Sequence, residues 1–100
     1  MIKIRLGPTY EQPYKDLVQD DQEFKDHVVE LVGLFRKNPN DTRLDNHALT
    51  KKMQGKWAFS ITDDIRIVYE WLGKTTVRFW DIGPHIKVYP KRVIKKSPKR

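Results

Sequence analysis

The chain has 100 residues, of which 38% are hydrophobic and 33% charged, with no cysteine and a formal net charge of +7. That length suits one domain with a single core, and that balance excludes a disordered chain. No apolar run or signal-like leader is visible, so neither a membrane span nor export is expected; without cysteine there is no disulfide or thiolate chemistry, which fits a cytoplasmic protein.

Six of the seven net charges come from residues 91–100, where Lys91, Arg92, Lys95, Lys96, Lys99 and Arg100 meet no acid. Residues 1–90 carry only +1. The sequence therefore divides into a nearly neutral domain, 1–90, and a basic C-terminal tail, 91–100. The tail reads either as a solvated extension or as an electrostatic grip on nucleic acid or an acidic partner.

Residues 1–6 alternate apolar and charged side chains and predict a strand, closed by Gly7-Pro8. Thr9 then caps a short helix with Tyr10, Tyr14 and Leu17 along one side. A longer helix follows, with Phe24, Val28, Leu31, Val32 and Phe35 at helical spacing, Asp20 or Asp21 as its N-cap and Asn38-Pro39 as its stop. From Trp57 the period becomes two. Residues 57–61, 65–71 and 75–82 predict strands joined by turns too short for anything but antiparallel pairing. The result is an α+β fold of order β-α-α-β-β-β: a small twisted antiparallel sheet with a two-helix hairpin on one face. On the middle strand Ile65, Ile67, Tyr69 and Trp71 should face the helices, and Arg66, Val68 and Glu70 an open side.

Arg66 interrupts an otherwise apolar strand, I-R-I-V-Y, and must face water or a partner. Tight turns would set it opposite Ile61 and near Asp81. It reads as a cross-strand ion pair with Asp81 or as a phosphate clamp, a task that suits a planar, permanently charged guanidinium. His47 lies in the linker after the helices and His85 follows Gly83-Pro84. Each alone is an ordinary loop histidine. Flanking Arg66 together, they can divide proton removal and proton donation. His27 sits within the long helix and receives no role. Tyr89, and Trp57 or Phe59, are candidates for stacking on unpaired bases, with core packing the competing reading for the last two. No histidine pair has metal-ligand spacing, and no glycine-rich phosphate loop or serine-nucleophile elbow is present, so neither metal nor cofactor is expected.

The ordered motifs H-A-L, G-K-W, D-I-R-I-V-Y and I-G-P-H-I-K-V-Y resemble the RelE/ParE superfamily of toxins from toxin–antitoxin systems, most nearly its YafQ-like mRNA interferases. The resemblance covers residues 1–90, with specific motifs within 45–89. It implies a metal-independent endoribonuclease that cuts mRNA in the ribosomal A site and is held inactive by a cognate antitoxin. Carried over residue by residue, His47 matches a proton-transfer histidine, Asp64 the aspartate of D-x-x-x-x-Y, and Arg66 the phosphate-contacting arginine. His85 matches the G-x-H histidine and Tyr89 the terminal aromatic. Lys51, Lys52, Lys56, Trp57, Lys87, Lys91 and Arg92 are expected to contact RNA. Trp57 and Phe59 stand where RelE has two lysines, and Ser60 where YafQ-like toxins have a second strand histidine. The expected chemistry is attack of a 2′-hydroxyl on its own 3′-phosphate. Two other readings remain: a ParE-like toxin acting on DNA gyrase without cleavage, and a degenerate homologue that only binds antitoxin.

Overall fold

A computed structural model of the chain describes residues 1–84. The roles assigned to His85, Lys87, Tyr89, Lys91 and Arg92, and the tail 91–100, fall outside that range. Strand β1 (Lys3–Leu6) is followed by helices α1 (Glu11–Val18) and α2 (Gln22–Lys37), a two-residue strand β2 (His47–Ala48), and strands β3 (Trp57–Ser60), β4 (Ile65–Trp71) and β5 (Thr76–Pro84). Short 3₁₀ turns, Thr42–Leu44 and Lys51–Met53, flank β2. Among the described residues no helix is long and apolar enough to cross a membrane.

The expected α+β architecture is present, with two differences. The sheet has five strands in the order β1-β5-β4-β3-β2, because the linker contributes β2 at one edge. It is also mixed: β1 lies parallel to β5, while the other pairs are antiparallel. The two helices carry the chain from one edge of the sheet to the other, and such a crossover leaves the first strand free to run alongside the last.

Local chemistry sets the helix ends. The Asp21 carboxylate accepts from the Phe24 backbone N–H at 2.9 Å, capping α2. The helix ends at Asn38, which takes an extended conformation before Pro39. Thr9 does not cap α1. Tyr10 occupies that position without a side-chain cap, and the Thr9 hydroxyl donates instead to the Trp80 carbonyl on β5.

The main core lies between the helices and one face of the sheet. Phe35 of α2, fully buried, stacks on Phe59 of β3 at 4.5 Å and meets Tyr69 of β4 edge-on at 4.9 Å. Each such ring contributes roughly 1.5–3 kcal/mol through burial. Ile67 and Tyr69 face this core as the alternation predicts, with Ile65 and Trp71 packed at its margin.

The opposite face is not wholly open. Ala58 and Val68 are buried there, with Leu49, Met53 and Trp80 packed against them. The linker folds back over the sheet to make this contact, and Leu49 N–H donates to the Lys56 carbonyl at 2.8 Å. Strand β5 carries a bulge on this side: Val68 pairs with Asp81 and Tyr69 with Phe79, which leaves Trp80 as the extra residue.

Candidate functional site

Arg66 lies on the face away from the helices, paired with Ser60 on β3 and Gly83 on β5. The expected neighbours, Ile61 and Asp81, are displaced for two reasons. The β3–β4 turn takes residues 61–64, with Ile61 and Thr62 N–H both bonded to the Ile65 carbonyl. On β5 the partner is two residues beyond Asp81: the β4–β5 turn, which pairs Trp71 with Val77, supplies one and the Trp80 bulge the other. The guanidinium folds over that turn, Nη1 donating to the carbonyls of Thr62 at 3.0 Å and Asp63 at 2.8 Å. Carbonyls orient the group without neutralising it.

Around Arg66 is a polar depression of about 300 Å³, lined also by Arg43, Asp45, Ser60, Thr62 and Asp63. Arg43 enters it already paired: Nε and Nη2 donate to the two Asp41 oxygens at 3.0 and 2.8 Å. Those hydrogen bonds, and the charge behind them, hold the Asp41 carboxyl at about 2, well below the usual carboxylate range. Of the two arginines, Arg66 is the one whose hydrogen bonds go to neutral groups.

His47 is exposed on β2 and pairs with Ala58 of β3. Side chains opposite one another in a ladder share a face, so His47 stands on the Arg66 side of the sheet. Its Nδ1 lies 2.9 Å from the Asp45 carbonyl. A carbonyl only accepts, so Nδ1 carries the hydrogen, and Nε2 of the neutral ring is left as the proton acceptor. Two inter-strand steps and a two-residue offset separate His47 from Arg66, on the order of 12 Å between backbones.

The remaining predicted residues are distributed unevenly. Asp64 is exposed in the β3–β4 turn, its backbone N–H donating to Thr62 Oγ1 at 3.2 Å. Lys51 and Lys52 are exposed on the 3₁₀ turn beside β2. Trp57, expected to contact RNA, sits on the helix side of the sheet, packed at the edge of the main core, and Phe59 is fully buried there. The alternation W-A-F-S sends both rings away from Arg66, so packing is the job of each. His27 ties α2 to the β3–β4 turn, its Nε2 2.7 Å from the Ile61 carbonyl.

Two residues escaped sequence reading. Asn46 braces the linker, its amide nitrogen donating to the Pro39 carbonyl and its oxygen accepting from Tyr69, both at 2.9 Å. Trp80 lies on the Arg66 face with the Lys56 ammonium 4.5 Å and the Arg78 guanidinium 6.0 Å from its ring centroid. Arg78 in turn donates through Nε and Nη2 to Glu70 Oε2 at 3.1 and 2.9 Å. Partial burial would raise the Glu70 carboxyl, but Arg78, the nearby indole N–H and Lys56 outweigh it and hold the group below its ordinary value.

No family model matches the chain, and no curated protein is similar to it in sequence. Solved structures are similar in shape. The chain superposes on YafQ from E. coli strain BL21(DE3) with a TM-score of 0.73 at 18% identity, over 90% of this chain and 100% of that one. The chain shares the fold of that structure. A YoeB/ParE toxin from Agrobacterium tumefaciens gives a TM-score of 0.72 at 19% identity, over 84% of this chain and 99% of the other. The heterotetrameric YoeB–YefM toxin–antitoxin complex from Staphylococcus aureus gives 0.69 at 19% identity, over 85% and 98%. At these identities the likeness is one of fold.

Proposed function

We propose that the protein is the toxin of a type II toxin–antitoxin pair and that it cleaves mRNA on the ribosome without a metal. The observation that carries this reading is that Arg66 and His47 share one face of the sheet, with the arginine bonded to neutral carbonyls beside a polar depression. The common fold with the YafQ and YoeB toxins supports it.

In this mechanism the scissile phosphodiester lies between the two residues. His47 Nε2 takes the proton from the 2′-hydroxyl, whose oxygen attacks the adjacent phosphorus. Arg66 leaves its turn carbonyls and donates to the non-bridging oxygens, stabilising charge that builds up in the transition state. His85 gives a proton to the departing 5′-oxygen. The products are a 2′,3′-cyclic phosphate and a 5′-hydroxyl, and no water is consumed. Asp64 orients the attacking side and Tyr89 stacks on the substrate, with Lys51 and Lys52 on the phosphate backbone. A cognate antitoxin, the kind of partner seen in the YoeB–YefM complex, holds the toxin inactive.

Mapping transcript ends by primer extension in cells expressing the chain tests the reading. Discrete new 5′ ends with the wild type, absent with Arg66→Ala, support cleavage. Growth arrest with DNA damage and no new ends supports the gyrase alternative.

A further inference from the structure

We propose that Trp80 is the base-stacking platform of this face, holding a nucleobase that flanks the phosphodiester addressed by Arg66 and His47; the inference rests on the nuclease reading above. Three observations point to it.

The first is how firmly the indole is held. Ala58 and Val68 are buried on this face, and Leu49, Met53 and Trp80 close around them. The bulge itself is fastened from the β1 side: Gly7 N–H donates to the Phe79 carbonyl at 2.9 Å, and the Thr9 hydroxyl donates to the Trp80 carbonyl. Bulges gather next to functional sites, where they set the direction of a side chain. A ring fixed in this way loses little freedom when a base settles on it.

The second is what surrounds the ring. An aliphatic side chain would fill a small satellite core more cheaply, since the Trp80 Nε1 is buried without a partner of bonding geometry. Instead a partly exposed indole carries the Lys56 ammonium over its ring, 4.5 Å from the centroid, and the exposed Arg5 lies one ladder position beyond Arg78. A base takes that face when the flexible lysine swings off the ring to pair with the phosphate alongside, so that stacking replaces the cation–π contact. Glu70 neutralises Arg78, so Lys56 is the cation that serves the ligand.

The third is position. Trp80 is three residues along β5 from Gly83, the partner of Arg66. That is about 10 Å of strand, a separation that an extended nucleotide or two can bridge. A platform there makes no base-edge hydrogen bonds. It favours the larger π surface of a purine and leaves the phosphates to Lys56 and Arg66.

Sequencing of RNA ends from cells expressing each variant tests the platform. Trp80→Leu should lower cleavage about 5- to 150-fold and flatten the purine preference at one position near the cut, while Trp80→Tyr retains both. Lys56→Ala should lower cleavage without altering the preference. Thermal melts of the purified proteins show that each variant is folded, and the tyrosine and lysine variants decide the matter should Trp80→Leu unfold. Wild-type rates and sites in Trp80→Leu, with cleavage lost in Arg66→Ala, would overturn the platform and leave the nuclease reading standing. No cleavage by the wild type would overturn both.

Discussion

The Tyr69 hydroxyl donates to Asn46 Oδ1 at 2.9 Å, joining the buried middle of the sheet to the residue that precedes His47. Asn46 also donates to the Pro39 carbonyl, so the linker is pinned at both ends of one amide. A two-residue edge strand has few ladder bonds of its own, and this brace supplies what the strand lacks. Asn46→Ala should cost about 1–2 kcal/mol of stability, read from urea unfolding, and should reduce cleavage more than that loss of folded protein explains.

Burial pushes the Tyr69 hydroxyl up from 10.0 to about 12, against the opposing effect of its hydrogen bonds. The folded value lies above the unfolded one. The stability it represents is therefore complete below pH 10 and disappears as the pH rises through about 12. Tyr10, also raised by burial, acts in the same direction. Tyr69→Phe should unfold less steeply with pH over the interval 10 to 12, as followed by circular dichroism; an unchanged alkaline slope contradicts the assignment.

Gly7 lies against β5 so closely that a Cβ there would meet the Phe79 carbonyl oxygen at 2.8 Å. The obstacle is backbone, and it belongs to the hydrogen bond that fastens the bulge. Gly7→Ala should destabilise the domain by about 1–3 kcal/mol, visible as a lowered Tm. It should also disturb Trp80, detectable as a change in indole fluorescence.

Arg66→Lys keeps the charge but loses the fork that presents two N–H groups to one phosphate. Because Arg66 is bonded to turn carbonyls at the rim of the sheet and takes no part in the core, the fold should survive with Tm nearly unchanged. Cleavage should fall by about 10²–10³-fold. Full activity in the lysine variant would mean that only a point charge is needed.

The fold was legible wherever one period ran without interruption. The spacing of Phe24, Val28, Leu31 and Phe35 located α2, and the alternation of Ile65, Ile67, Tyr69 and Trp71 gave both the length of β4 and the face it buries. Strand β2 was hidden because two residues, His47 and Ala48, establish no period. The bulge had a signal that went unread: Val77, Phe79 and Ile82 all reach the core, a break in the alternation that only an extra residue explains. Missing it accounts for one of the two positions by which the β5 neighbour of Arg66 moved, from Asp81 to Gly83, and it concealed Trp80. The face of Arg66 and the exposure of His47 followed from local sequence. The aromatic partner of the site did not, because Trp57, Phe59 and Trp80 look alike until strand phase assigns each a side.

The central claim is that one phosphodiester is served by His47 and Arg66 together, and the chemistry of the cut ends tests it most directly. RNA from cells expressing the wild-type chain should carry discrete 5′-hydroxyl ends, each matched by an upstream 2′,3′-cyclic phosphate. Folded His47→Ala and Arg66→Ala proteins should each yield at least about 100-fold fewer such ends. Ends bearing 5′-phosphates, or undiminished cutting by either variant, would contradict the account.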